Sequence, residues 1–428
     1  MTYFTELSPD HLGSLRTETD PLADKVLIEI ISSGEEEKIN EVMMKLFKNS
    51  SFHLGMFSSL SSNISTILDQ YIETSGQLPE WYDEKMVKKG EKLFSLYGPE
   101  IFMLLNVSSL PLCYTCAKGA QVLFDTGRLL SHNKNMDPLA RRLMETAQMV
   151  VNVLASGGLT ESGRGVVTIQ KVRLIHASIR YYLKTRRQSG WDTDKLGEPI
   201  NQEDLLGTLM SFGPVIINGL RRLNIKLSSD EIESYMHCWK VVGYLMGIRS
   251  DLLPNSYSDG FDLATKILKN QAASSEAGKS LTSSCIEFIN YLIPGNAFDS
   301  VPNYFMHYFL EDFAHSSGVN LAECLGLLDK KSSRDKISLA VSKWLVGEMS
   351  HLEESEFMQK IASFFNRKLL EGIIHHFNDG KTVQFYIPPS LQEDWGLSSK
   401  WENTLTTKGI LNHRLALQKK SETIATNE

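Results

Sequence analysis

The sequence predicts an all-α protein, a single large helical domain with helical additions at both termini. Hydrophobic residues recur every three to four positions along most of the 428 residues, which is the helical period. Helix-ending pairs such as Gly98-Pro99 and Gly157-Gly158 interrupt these patterns. The strongest strand candidate, residues 381–387, is too isolated to form a sheet.

Composition indicates an ordinary soluble globular protein. The chain is 42% hydrophobic and 22% charged, with a formal net charge of -7. This acidic balance argues against nucleic-acid binding and against general affinity for anionic membranes. Five cysteines suit a reducing compartment without a disulfide framework. The N-terminus lacks the features of a secretion signal, and residues 101–117 are too polar to span a bilayer, so we expect a cytoplasmic protein without a membrane span.

Residues 1–75 are predicted to form an N-terminal helical extension. Short helical patterns at 20–31 and 35–47 are broken by the serines of 50–65. The main helical domain is predicted over 76–395, with a helix that starts at Pro79 and an amphipathic segment that Gly98-Pro99 ends. Residues 396–428 are polar and predicted to be a flexible tail.

Within the main domain, a long helix is predicted over 136–155, and a glycine-rich loop leads from it to the helix of His176. Asn201, followed by Asp204, is predicted to cap the next helix. The small polar residues of 270–283 suggest an exposed loop or helix edge. The remaining predicted helices cover 203–223, 230–249, 284–293, 301–316, 319–328, 335–349 and 355–377.

The helix around His176 carries an unusual pattern. At the helical period, His176 lies inside one apolar stripe made of Val172, Ile175, Ile179 and Leu183. Arg173 and Arg180 stand about one turn before and after that histidine, and each needs an anion or water. His176 could simply satisfy a buried polar contact, or it could bind the iron of a flat cofactor whose propionates meet the two arginines. On these residues alone, both interpretations stay open.

Two other helices contain candidate site residues. Arg142, Glu145 and Thr146 share one helix face with Met149. Facing outward they are solvated, whereas facing inward they supply a donor, a carboxylate and a hydroxyl to a pocket; the sequence does not choose. His237 is interpreted as a core histidine that bonds to backbone.

Two further motifs are interpreted as structural or accidental. Ala277-Gly-Lys-Ser280 resembles the end of a phosphate-binding loop, but no strand precedes it and its first glycine is missing. Cys113 and Cys116 have redox spacing without a βαβ context, and we expect both thiols to pack in a helix.

Several motifs in a shared order resemble the latex clearing protein (rubber oxygenase) and MpaB-type oxygenase family. The resemblance covers roughly residues 75–255. The motifs are Leu78-Pro-x-Trp81, Gly90, Thr126-Gly-Arg-Leu129, Arg142-Leu-x-Glu-Thr146, Val172-Arg-Leu-x-His176-Ala-x-x-Arg180, Gly197-x-Pro-x-Asn201-x-x-Asp204, Thr208, Phe212 and Tyr235-x-His-x-Trp239-x-x-x-Gly-Tyr.

The resemblance implies a globin-like core around haem b. In it, His176 falls on the proximal iron ligand, so it is the predicted metal ligand. Arg173 and Arg180 would lie close to the haem, and His237 matches a second family histidine that does not bind iron. These four residues are the predicted cofactor-binding set. Arg142 and Thr146 fall on the distal helix, and with Glu145 they are the predicted catalytic residues.

The resemblance implies a haem-dependent oxygenase that uses dioxygen on a small lipophilic, unsaturated or isoprenoid-like substrate. Glu145 stands where rubber-cleaving members have a lysine, and we hypothesise that it acts as a base or orients a water. Rubber-cleaving members are secreted, so polyisoprene is not the expected substrate of a chain without a signal. The alternative is a haem- or lipid-binding carrier or sensor without turnover.

Overall fold

The computed structural model describes residues 7–39, 41–42, 56–126, 137–185, 190–293, 299–333, 337, 358, 361–363, 365–369 and 391; of residues 137–142 it describes the backbone alone. Within these ranges the chain is helical, and the one β contact is an isolated bridge between Cys116 and Ala272. The all-α prediction is therefore confirmed. The predictions for 381–387 and 396–428, and most of those for 335–349 and 355–377, lie outside the described residues.

The principal helices are numbered in their order along the chain. The first six are α1 (Pro9–Ser14), α2 (Pro21–Ser32), α3 (Ser62–Ser75), α4 (Glu84–Leu104), α5 (Leu110–Thr115) and α6 (Ala117–Asp125). A π-helical turn, Leu105–Ser109, joins α4 to α5. The next are α7 (Asp137–Leu154), α8 (Arg164–Thr185), α9 (Thr193–Leu196), α10 (Gln202–Phe212), α11 (Pro214–Arg222), α12 (Ser229–Leu245), α13 (Tyr257–Gln271), α14 (Glu276–Leu292), α15 (Val301–Ser317) and α16 (Leu321–Leu325).

Two predicted boundaries around α4 are wrong. The helix begins at Glu84 rather than at Pro79, because the Asp83 side chain accepts hydrogen bonds from the first free backbone N–H groups. Gly98-Pro99 kinks the helix at Tyr97 but does not end it. The residues that follow, 101–104, are almost fully buried, and this burial stabilises the helix beyond the proline.

Two later boundaries also differ from the predictions. The segment predicted as one helix over 203–223 is two, α10 and α11, because Pro214 cannot continue the preceding helix and starts the next one. Residues 276–283, predicted as a loop or helix edge, are the first half of α14. The Ser275 side chain accepts from the N–H of Gly278 and caps that helix.

The centre of the bundle is the packing of α4 against α12. Gly90 permits their close approach, since a Cβ at this position would lie 2.4 Å from Cys238 Sγ. The continuous helical segment Glu84–Thr115 is long and apolar enough to cross a membrane, but 72% of its most apolar window is buried inside the protein. Its apolar character is therefore used in the core.

The N-terminal helices α2 and α3 pack against α8 on the side away from the central bundle. They form a second hydrophobic cluster with two residues of α8, Leu174 and Ala177. The Tyr71 hydroxyl of α3 donates to the backbone carbonyl of Gln170 at 2.7 Å. This packing places acidic residues of α2 beside the arginines of α8.

Candidate functional site

A cavity of about 260 Å³ lies in the middle of the bundle. One water needs only about 10–15 Å³, so this space is large enough for a ligand much bigger than water. Its walls come from α5, α6, α7, α8, α10, α12 and α13. Most lining side chains are apolar, among them Leu112, Leu123, Leu143, Val172, Ile179, Leu205, Phe212, Val242, Ile267 and Leu268.

His176 lines this cavity together with Val172 and Ile179, which flank it on the same face of α8. The residues of the predicted apolar stripe therefore do not all face the same space. Val172 and Ile179 face the cavity, whereas Leu183 packs into a separate small cluster with Trp191. Leu174 and Ala177 cover the opposite face of α8. The structure thus brings the predicted metal ligand to the wall of an apolar cavity, as an iron-binding imidazole requires.

Arg173 does not line the cavity. Its Nε and Nη2 atoms each donate to a carboxylate oxygen of Asp20 at 2.7 Å, and its Nη1 donates to the carbonyl of Leu245 at 2.9 Å. Burial alone would lower the pKa of Arg173, but the hydrogen bonds and charge of Asp20 raise it above the usual value. The backbone at Gly247 (φ +87°) lies directly against this ion pair. Only glycine fits there, because a Cβ would lie 2.7 Å from Nη2 of Arg173.

Arg180 has a similar arrangement about two turns further along α8. Its Nε donates to Asp24 of α2 at 2.7 Å, and its Nη1 donates to the carbonyl of Ile200 at 3.2 Å. Ile200 lines the cavity and has φ +54°, a left-handed conformation that is unfavourable for a β-branched residue. Arg180 therefore holds a strained residue of the cavity wall.

The assignment of Arg173 and Arg180 as cofactor-binding residues stays a prediction, and the structure pairs both side chains with carboxylates of the protein itself. Both guanidiniums needed anions, as the sequence indicated, but α2 supplies them in the form of Asp20 and Asp24. The two arginines act on the site through α8, whose rotation and position they fix on either side of His176.

His237 is also placed away from the cavity. Its Nε2 accepts a hydrogen bond from the backbone N–H of Asp83 at 3.0 Å, and its ring meets the edge of Trp81 at 5.7 Å. Burial lowers its pKa, and the nearby Asp83 raises it by a smaller amount. The assignment of His237 as cofactor-binding stays a prediction; the expected bond to backbone is confirmed, and the side chain is half-buried rather than part of the core.

The cavity-facing side of α7 carries Glu145, Thr146 and Met149. The inward interpretation of this helix face therefore holds for these residues, although Glu145 is also exposed to solvent. Arg142 lies one turn earlier on the same helix, and its side chain is outside the described residues. The α7 wall thus supplies a carboxylate and a hydroxyl to a cavity whose α8 wall supplies an imidazole.

Residues 111–316 match a family described as "ER-bound oxygenase mpaB/B'/Rubber oxygenase, catalytic domain". Every residue that lines the cavity falls in this segment, except Leu110, which borders it. This match covers just under half of the chain. The expected family resemblance is therefore confirmed.

Two known proteins of the family are similar to this chain. The rubber oxygenase of Streptomyces sp. (strain K30) is 20% identical over 265 residues, which are 61% of this chain and 61% of that protein. The latex clearing protein in its closed state has a fold similar to this one, with a TM-score of 0.65 at 16% identity over 89% of this chain and 95% of that chain. The structural likeness shows the fold.

The residues present fit a haem at its iron and at its apolar faces. His176 offers an imidazole from the cavity wall, and the walls on both sides are largely hydrocarbon. Among the described lining residues there is no lysine or arginine for the acidic edge of the macrocycle. The described part of the chain also contains no group of three or more His, Cys, Asp and Glu residues placed to bind a bare metal ion. Among the described lining residues, the imidazole of His176 is therefore the donor to consider for a haem iron.

The two motifs interpreted as non-functional take structural positions. Cys113 and Cys116 are free and line the cavity, and burial raises the pKa of both thiols, which disfavours the reactive thiolate. Cys113 lies in α5, and Cys116 lies at the α5–α6 junction. Ala277-Gly-Lys-Ser280 lies in the first turns of α14, where Gly278 packs against the carbonyl of Tyr114.

Sequence reasoning missed a polar group at one part of the cavity wall. Glu203 and Asp204 line the cavity at the start of α10, and Arg16, from the turn after α1, donates to both. Asp204 was noted as a first-turn acidic residue and as part of a family motif but not as a site residue, and Gln271, at the end of α13, gave no signal. Arg16 is 187 positions away from Glu203, so no local pattern joins them.

Proposed function

We propose that the protein is a haem b-dependent oxygenase that acts on a small lipophilic substrate. The observation that carries this proposal is the placement of His176 in the wall of a mostly apolar cavity inside the segment that matches the oxygenase family. His176 would bind the haem iron, and the haem, when bound, supplies the oxygen-activating chemistry. The protein supplies an apolar volume that orients the substrate and limits its contact with water.

The α7 wall supplies the polar groups of the reaction. Thr146 provides a hydroxyl that hydrogen-bonds to an oxygen atom held in the cavity, and Glu145 orients a water or accepts a proton at its carboxylate. Arg142, on the same helix, is proposed as the third residue of this wall. The apolar lining favours hydrocarbon-rich substrates, and an unsaturated or isoprenoid-like chain meets that requirement. We also propose a cytoplasmic location, for which the five free cysteines give support.

An absorption spectrum tests the cofactor part of this proposal. The purified chain, supplied with haem, is expected to show a Soret band, and His176→Ala is expected to lose the band or bind haem at least about tenfold more weakly. His237→Ala is the matched control, because His237 lies outside the cavity lining and its removal leaves the iron-binding imidazole in place. Circular dichroism of all three proteins checks that each is folded. A full Soret band in His176→Ala would refute the assignment.

Oxygen uptake tests the activity. The haem-loaded chain is expected to consume dioxygen with a lipophilic alkene, and Glu145→Gln is expected to lower the rate by about a hundredfold or more while the haem spectrum is retained. An unchanged rate and resting spectrum would remove Glu145 from the mechanism. A haem-loaded wild type that consumes no oxygen with any lipophilic alkene would favour the carrier or sensor function.

A further inference from the structure

One region of the cavity wall is polar, in contrast to the rest. Along α10, Asp204, Thr208 and Ser211 follow one another at helical spacing and all line the cavity. Helix α6 lies directly against this face, because a Cβ at Gly119 would come 2.9 Å from Asp204 Oδ1. Cys113 and Cys116 line the cavity beside these groups. A ligand that fills the cavity therefore meets hydrocarbon on most sides and polar groups on this side.

The charges at this polar wall are predominantly acidic. Glu203 and Asp204 are the carboxylates, and Arg16 is their shared cation, with Nη1 at 3.2 Å from Glu203 Oε2 and 2.8 Å from Asp204 Oδ1. Asn270 also donates to Glu203 Oε1 at 2.9 Å. Among the described side chains that line the cavity, carboxylates occur but no lysine or arginine does. An anionic ligand group would therefore be repelled here, whereas a hydrogen-bond donor would be attracted.

A second observation, independent of the wall's charge, points to a ligand at this position: the side chain of Gln271. It follows Asn270, lines the same cavity, and is only 7% exposed. Its Oε1 is buried without a hydrogen-bond partner among the described residues. Buried carbonyl oxygens in proteins are nearly always hydrogen-bonded, and one that is not calls for a partner that arrives from outside the chain. A hydroxyl or amine can fill this position, because either one donates a hydrogen.

We propose that the ligand of this cavity is a lipophilic alcohol whose hydroxyl donates to Gln271 Oε1 beside the α10 carboxylates. This inference rests on the proposed function, since it names the chemical class of that enzyme's substrate. A pure hydrocarbon would leave the amide oxygen without a partner. A fatty acid would bring a carboxylate to a wall that already carries Glu203 and Asp204. The neutral donor meets both conditions.

Three isoprenoids of equal length test the proposal: farnesol, the hydrocarbon farnesene and farnesoic acid. Binding to the purified full-length chain is measured by displacement of the apolar fluorophore Nile red, without any turnover. Farnesol is expected to bind at least about tenfold more tightly than farnesene, the ratio that one satisfied buried acceptor provides, and more tightly than farnesoic acid. Because the readout is binding, its failure is distinct from a failure of haem binding or oxygen uptake.

Gln271→Leu locates the preference. It is expected to bring the affinities of farnesol and farnesene to within about twofold of each other, because the acceptor is replaced by hydrocarbon of similar size. Gln271→Glu keeps acceptor oxygens at the same place, so it is expected to retain the farnesol preference and to weaken farnesoic acid further. Gln121→Leu is the matched control, since Gln121 lies on α6 but does not line the cavity. Its affinities are expected to equal those of the wild type.

Several results would overturn the proposal. Farnesene or farnesoic acid binding as tightly as farnesol would exclude an alcohol-selective wall. A farnesol preference that survives intact in Gln271→Leu would place the recognition elsewhere. Failure of all three compounds to displace the fluorophore would also contradict it. If Gln271→Leu does not fold, the wild-type series and Gln271→Glu still decide the question.

Discussion

The substitution Asp20→Asn tests the ion pair that holds α8, the helix of His176, against α2. It neutralises the carboxylate that is paired with Arg173. The pair is deeply buried, with side-chain exposures of 4% for Asp20 and 7% for Arg173. Asn keeps the size of the side chain and its ability to cap α2, where Asp20 accepts from the N–H of Ala23. The substitution therefore removes a charge and little else.

The expected cost follows from the contacts that remain. Arg173 keeps its hydrogen bond to the carbonyl of Leu245, but its two 2.7 Å bonds to a carboxylate become, at best, one bond to a neutral amide oxygen. Removing one partner of a buried ion pair typically costs about 3–5 kcal/mol, because the other charge stays buried and uncompensated. The retained amide bond places Asp20→Asn near about 3 kcal/mol, a large share of a total stability of about 5–15 kcal/mol.

Urea unfolding followed by circular dichroism measures this effect. With a denaturant slope of about 3 kcal/mol/M, the midpoint is expected to fall by roughly 1 M. Glu18→Gln is the matched control, because Glu18 pairs with Arg249 at 2.9 Å but both side chains are about 40% exposed. Exposed pairs contribute about 0–1 kcal/mol, so this variant should unfold close to the wild type.

The double variant Asp20→Asn/Arg173→Met completes the test. It removes the stranded charge as well, so its loss of stability is expected to be smaller than the sum of the two single losses. Equal midpoint shifts for Asp20→Asn and Glu18→Gln would refute the view that this ion pair is buried and holds α8 to α2.

Two further predictions concern the packing of α4 and α12. Gly90→Ala is expected to lower the free energy of unfolding by about 1–3 kcal/mol, because its Cβ would lie 2.4 Å from Cys238 Sγ. The control is Gly13→Ala, which has open space around its Cβ and should not lower the stability; equal losses in both variants would contradict the close approach of the two helices. Burial lowers the pKa of His237 below its usual 6.5, so the stability it contributes is complete above pH 6.5 and is lost as the pH falls below that value. Urea midpoints at pH 7 and pH 5 should differ more for the wild type than for His237→Phe, and equal differences would exclude His237 as the cause.

Periodicity and capping predicted much of the fold because they act over a few residues. The helices at 136–155 and 301–316 were predicted within about two residues of their observed ends, and Asn201 caps α10 as expected. The boundary errors have tertiary causes. Gly98-Pro99 reads as a helix end, but burial of the residues after it keeps the helix going.

The site was only partly predictable for the same reason. The pattern around His176 identified a candidate metal ligand, and the spacing on α7 identified Glu145 and Thr146; all three line the cavity. The pattern also indicated that Arg173 and Arg180 each pair with an anion, but it did not identify that anion. Two chemically similar partners were possible. Cofactor propionates and the aspartates of α2 are both carboxylates, and sequence spacing within α8 does not distinguish them.

By itself, the sequence determined the helical class, most helix positions and the imidazole that faces the cavity. Each depends on side chains within a few turns of one helix, whose period fixes which residues share a face. Only the tertiary structure decided that Asp20 and Asp24 pair with the arginines, and that Arg16, Glu203 and Gln271 make one wall polar. These contacts join residues more than 60 positions apart, and only the packing of whole helices brings such residues together.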